Sequence, residues 1–159
     1  MKIAITGHRP NKLGNDYDLT SPLIGRIQMT LRAIISEYMP DYMISGMALG
    51  IDTLWAKLAI EYKTPLIAAI PCLEHDNKWF TKSKLIYKEI LDNPLTTKIL
   101  TSNTCYTPNC MQVRNIWMVD NCDLLIAVWD GTSGGTKNCI DYAKSINRQI
   151  IYINPNDYK

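Results

Sequence analysis

The sequence predicts an α/β fold: a single doubly wound, mostly parallel sheet of Rossmann-like type with helices on both faces. Three observations predict it. Short apolar runs alternate with segments of helical spacing along the whole chain, the pattern of a sheet covered by crossover helices. The run 123–129 (DLLIAVW) is almost wholly apolar, as a strand covered on both faces should be. A glycine-rich turn, 130–136 (DGTSGGT), follows it directly and leads into a segment of helical spacing.

The elements follow in order. Residues 2–6 (KIAIT) read as a first strand, and a polar loop runs over 7–20. Ser21-Pro22 supplies an N-cap with proline at the first helical position, where its missing N–H costs nothing. The helix continues through Leu23, Ile27, Leu31, Ile34 and Ile35 and stops near Pro40. Residues 42–45 form a second strand, and 46–50 (GMALG) turn into a helix over 51–62 whose buried stripe is Leu54, Trp55, Leu58 and Ala59. A third strand covers 65–71, and a helix runs from about Asn77 to Leu91. Residues 97–101 make a weak fourth strand, and 109–121 a fourth helix. After the strand at 123–129, Cys139, Ile140, Ala143 and Ile146 mark a last helix over 137–146, and 149–153 (QIIYI) close the sheet. No linker, internal repeat or low-complexity stretch interrupts this order, so residues 1–159 read as one domain.

At 159 residues and 47% hydrophobic, the chain can bury a substantial core. A formal net charge of +2 with 20% charged residues lacks the basic excess of a dedicated nucleic-acid binder, so nucleic acid is not the expected partner. No apolar stretch is long enough to span a membrane, and Met1–Ile5 enters a strand directly; no membrane partner or signal peptide is expected, and the expected location is cytoplasmic. The five cysteines (72, 105, 110, 122 and 139) are odd in number, and Cys72 and Cys122 sit in apolar contexts, as reduced intracellular thiols do. Cys105 and Cys110 have no second pair, and His8 and His75 lie far apart, so neither a metal nor a cofactor is expected.

Ligands of doubly wound sheets bind beyond the carboxyl ends of the strands, and the unusual residues fall there on three separate strands. After the first come Gly7, His8, Arg9 and Pro10; after the second, Ser45, Gly46, Met47, Ala48, Gly50 and Asp52. After the fifth come Asp130, Gly131, Ser133, Gly134, Gly135 and Thr136. Glycine lets backbone approach a ligand and permits positive φ, and the following helix N-terminus favours an anion. Two glycine turns beside a His-Arg pair therefore suggest an anionic, phosphate-bearing ligand. The turn at 130–136 is no P-loop, because Gly135-Thr136-Lys137 lacks the Gly-Lys-Ser/Thr order, and no Gly-x-Gly-x-x-Gly occurs. Each residue also has a plainer role: Asp52 suits the helix macrodipole, and His8 suits a backbone-bonded loop. Arg114, within the apolar helical stretch 111–118, needs a partner, either a ligand phosphate or a carboxylate.

Residues 44–52 (ISGMALGID) resemble the Ser-Gly-x-Ala-x-Gly-Ile-Asp motif of the DNA-processing protein DprA. The opening Thr6-Gly-His-Arg-Pro10, the stretch 71–79 and the segment 123–143 look more like the YpsA group. Both belong to the SLOG superfamily of Rossmann-like domains, related to the LOG proteins, and the resemblance covers nearly the whole chain. It implies a nucleotide-derived ligand and a homodimer or higher homo-oligomer. LOG enzymes cleave the N-glycosidic bond of nucleoside monophosphates with motifs resembling Gly-Gly-x-Gly-Thr-x-x-Glu and Arg-Lys-x-x-Met. Here Arg114-Asn115-Ile-Trp-Met118 matches the second apart from Asn115, while Cys139 stands where the glutamate of the first would be. The glutamate stabilises the cationic sugar or aids the attacking water, and a neutral thiol on a helix does neither well.

The expectation is therefore a binding protein, sensor or sponge, for a nucleotide or ADP-ribose-like small molecule. Arg9 and Arg114 would pair with phosphate, and Tyr17 in the 7–20 loop could close over the base. The alternatives are an N-glycosidase or nucleotide hydrolase using Glu74, Asp52 or Asp130, and DprA-like single-stranded DNA binding.

Overall fold

Parallel strands cannot be joined by tight hairpins, so each pair requires a crossover segment, and here those segments are mainly helices. The computed structural model describes residues 1–102 and 105–158. Its strands are β1 (Lys2–Gly7), β2 (Tyr42–Ser45), β3 (Leu66–Ile70), β4 (Thr96–Leu100), β5 (Leu124–Val128) and β6 (Gln149–Ile153). They pair in the order β4-β3-β2-β1-β5-β6, and every neighbouring pair is parallel. The helices are α1 (Pro22–Tyr38), α2 (Ile51–Glu61), α3 (Thr81–Asp92), α4 (Cys110–Asp120) and α5 (Gly135–Ser145).

The two-residue period of the strands divides the core. Ile3, Ile5, Met43 and Ile126 pack in one cluster with Ile27 and Leu31 of α1, Trp55 and Leu58 of α2, and Ile90 of α3. Ala4, Ile44 and Leu125, on alternate positions, pack with Met118 and Val119 of α4 and Cys139 and Ala143 of α5. Three helices thus cover one face and two the other.

Local signals explain the helix ends. Ser21 accepts a hydrogen bond from the Ile24 N–H (3.3 Å) with Pro22 next to it, and α1 ends at Met39, whose φ of 44° leaves the helical region just before Pro40. Two onsets differ from the sequence expectation. α3 begins at Thr81 rather than near Asn77, because residues 72–79 form separate three-residue-back turns (His75 to Cys72, Asn77 to Glu74, Trp79 to Asp76) that do not propagate, and Phe80 is extended. α5 begins at Gly135 rather than Lys137, so the last glycine of the turn and Thr136 belong to the helix's first turn. Trp129 lies just past β5, and the 7–20 loop contains a short 3-10 turn over Pro10–Lys12.

The strand order fixes where a ligand can enter. The chain steps outward from β1 to β4 on one side, then starts again at β5 on the other side of β1. At that reversal the segments leaving β1 and β5 diverge, and a crevice opens between them.

Candidate functional site

The segments leaving β1, β2 and β5, with α4, enclose a cavity of ≈ 250 Å³ at this reversal point. Gly7, His8 and Arg9 line it from β1, Ala48 and Asp52 from the β2–α2 turn, Ser133, Gly134, Gly135 and Thr136 from the glycine turn, and Arg114 and Asn115 from α4. Pro10 lines an adjoining, larger cavity.

The remaining sequence candidates shape these walls from behind. Ser45 Oγ–H donates to the Asp52 carbonyl (2.7 Å) and accepts from the Met47 N–H (3.1 Å), which folds the turn onto α2. Met47 is itself fully buried core. Gly46 is required by close approach: an added Cβ would stand 2.4 Å from Arg114 Nη1. Gly50 has φ +90°, and a Cβ there would come within 2.6 Å of the His8 carbonyl oxygen. Gly131, at φ +92°, makes the bend after Asp130.

His8 is nearly inaccessible, and its Nε2 lies 2.7 Å from Asp130 Oδ1. Burial alone would raise the Asp130 carboxyl, but hydrogen bonds from the Thr132 hydroxyl (2.6 Å) and N–H (3.0 Å), with His8, hold it well below the usual range. Burial lowers the His8 pKa against the opposing pull of Asp130. The contact of His8 with Asp130, whose N–H also donates to Nε2 (3.1 Å), ties the end of β1 to the glycine turn.

A second tie runs through α4. Arg114 Nη1–H donates to the Gly46 carbonyl, and Nη1 lies 4.0 Å from Asp52 Oδ2. Its Nε–H donates to Asn115 Oδ1 (3.0 Å), and Asn115 Nδ2–H donates to the Gly135 carbonyl (3.3 Å). Asp52 also accepts from the Ala48 N–H (3.3 Å). Burial pushes the Asp52 pKa up and the Arg114 pKa down, each opposed by the charge of the other. The carboxylate partner that the sequence left as an alternative for Arg114 is thus present, and the guanidinium braces two turns against each other.

Arg9 is different. Its exposed side chain makes no hydrogen bond or ion pair among the described residues, and it lines both cavities. Lys12, which sequence reasoning missed, lines the smaller cavity and donates from Nζ to Thr132 Oγ1 and the Ser133 carbonyl (3.1 Å). Only its place four residues after His8 could have signalled it. Cys139 is fully buried, and burial pushes its thiol up to about 12 despite a hydrogen bond with Thr6. It fills core.

The larger cavity, ≈ 720 Å³, shares Arg9, Asn11 and Met111 with the smaller one and is walled by Tyr17, Glu74, His75, Trp79 and Tyr106. His75 is 7% exposed, and its pKa is lowered to about 3 by burial, then by the nearby charges of Arg114 and Arg9. With the folded value below the ordinary 6.5, the unfolded chain binds the extra proton first as pH falls. This contribution is intact above about pH 6.5 and is lost as pH drops toward 3, with a slope approaching ~1.4 kcal/mol per pH unit. Urea unfolding across this range is expected to show that His75→Phe flattens the acid limb; an unchanged slope would assign it to other groups.

Comparison with known proteins adds the family. The model for YpsA, the YspA SLOG family, matches residues 3–157. The SPbeta prophage-derived protein YoqJ of Bacillus subtilis (strain 168) is 29% identical over 158 residues, covering 86% of this chain and 92% of that protein. A UPF0398 protein of Bacillus cereus (strain G9842) is 28% identical over 156 residues, covering 89% of this chain and 82% of its own. Among solved structures, DNA processing protein A from Helicobacter pylori, described for its single-stranded DNA binding mode, is similar with a TM-score of 0.69 at 19% identity. That likeness covers 96% of this chain but 64% of the Helicobacter chain, and it is a likeness of fold.

Proposed function

Because the chain belongs to the YspA SLOG family, we propose that it is a binding protein, a sensor or a sponge, for a nucleotide or ADP-ribose-like phosphorylated ligand. The observation that carries this reading is Arg9, without a hydrogen bond or ion pair among the described residues, lining one cavity with the glycine turn and the N-terminus of α5. Gly135 opens α5, and apart from its chain neighbours and the helix's own backbone nothing lies within 4 Å of where its Cβ would be, so a phosphate can approach the helix's unsatisfied N–H groups. Arg9 supplies the charge-assisted contact, and Lys12 supplies a second cation once it leaves Thr132 and Ser133.

Catalysis of the LOG type is not part of this proposal. The thiol of Cys139 is packed in the core, and Asp130 and Asp52 are engaged by His8 and Arg114. Calorimetric titration with ribose 5-phosphate, AMP and ADP-ribose tests the reading, with chromatography of the same mixtures to detect cleavage. Binding without turnover is expected, and Arg9→Gln should weaken it about ten- to a hundredfold, the cost of one charge-assisted contact. Absence of binding by all three overturns the proposal, and so does turnover at ordinary enzymatic rates.

A further inference from the structure

The larger cavity has a composition that the phosphate reading does not use. Its walls are aromatic: Trp79, Tyr17 and Tyr106, with exposed Phe80 set edge-on against Tyr17 at 5.4 Å between ring centroids. Within that wall sits His75, edge-on to Trp79 (5.0 Å) and Tyr87 (5.9 Å). It is 93% buried by its 7% exposure, and neither ring nitrogen has a hydrogen-bond partner among the described residues. Buried polar atoms are nearly always paired, so an imidazole with two unpaired nitrogens on a cavity wall asks what pairs with it.

We propose that the larger cavity is a nucleobase pocket, in which the base stacks on Trp79 and His75 pairs with its polar edge. This rests on the phosphate reading, since the cavities meet at Arg9, Asn11 and Met111 and a ribose would bridge them there. Stacking on aromatic rings is available to any base, because every base has a π face. Discrimination requires a polar group, and a neutral imidazole offers one donor and one acceptor. Trp79 is half-buried and packs edge-on against His75, whose ring nitrogens are closed off from solvent, so the base must displace that edge to bring its own polar atoms to the imidazole.

The test compares ribose 5-phosphate with AMP, GMP, CMP and UMP on wild type, His75→Phe and Trp79→Ala, by calorimetry with thermal melts. At least one nucleotide should bind about tenfold or more tighter than ribose 5-phosphate, and the four nucleotides should differ among themselves. His75→Phe, which keeps the ring shape, should collapse that spread to within about twofold while leaving ribose 5-phosphate affinity unchanged. Trp79→Ala should bring all four nucleotides down to the affinity of ribose 5-phosphate. If ribose 5-phosphate binds and no nucleotide binds tighter, the base pocket is overturned and the phosphate site stands. A His75→Phe variant that retains the wild-type spread also overturns it. If ribose 5-phosphate, the four nucleotides and ADP-ribose all fail to bind, both readings fall together.

Discussion

Gly135→Val is expected to abolish binding of AMP and ribose 5-phosphate while the protein stays folded. The position opens α5 and lines the smaller cavity, and a Cβ built there meets nothing within 4 Å. Its φ is not in the positive range, which belongs instead to Gly131 and Gly134. Valine therefore fits the backbone but fills the space where phosphate must approach the N–H groups. A loss of at least about a hundredfold, ~2.7 kcal/mol, should appear by calorimetry, with a melting temperature near that of wild type. Gly134→Val is the contrast: at φ +145° it strains the turn and should lower stability as well. Binding of the folded Gly135→Val protein at wild-type affinity would reduce the glycine turn to a connection.

Asp52→Ala is expected to lower stability by about 3–5 kcal/mol, the largest effect of any single change within the α4 brace. Both partners are nearly inaccessible, and removing the carboxylate leaves the buried Arg114 guanidinium with only neutral partners, among them the Gly46 carbonyl and Asn115 Oδ1; the Ala48 N–H also loses its acceptor. Asp52→Leu combined with Arg114→Met should recover much of the loss, because no uncompensated charge remains. Urea unfolding of Asp52→Leu, Arg114→Met and the double variant forms a cycle whose coupling should exceed ~1 kcal/mol. Additive changes would mean that the two residues pack side by side without supporting one another.

The fold was legible because its signals are local and repeated. Apolar runs of strand length, the Ser21-Pro22 cap and the Leu54-Trp55-Leu58-Ala59 stripe each specify their element without reference to the rest of the chain. The onset of α3 was not, because residues 72–79 satisfy their backbone in isolated turns and the helix waits for Thr81. The glycine turns and Gly7-His8-Arg9 could be placed on one edge because strand direction puts every carboxyl end of a parallel sheet on the same side. Which charges remain free could not be read this way. Both Arg9 and Arg114 suit a phosphate in one dimension, but Arg114 is held by the Gly46 carbonyl and the Asp52 carboxylate while Arg9 is exposed and lines the two cavities. Lys12 and the unpaired His75 likewise become visible only when segments far apart in sequence are brought together.

The reversal of strand order has a consequence in time as well as in space. β1 and β5 meet through contacts such as Lys2 N–H to Asp123 Oδ2 (2.6 Å), 121 residues apart, while β1 to β4 are each joined to the next by a single crossover. Loop-closure entropy makes that long-range ladder slow to form, so the β1–β5 seam is expected to close late in folding. The crevice exists only once it has closed. An intermediate with β1 to β4 in place would carry Arg9 and the 46–50 turn but no glycine turn to complete the grip. Ligand would then act on the unfolding rate, leaving the folding rate nearly unchanged, and a chain emerging from the ribosome could hold nothing until β5 had docked.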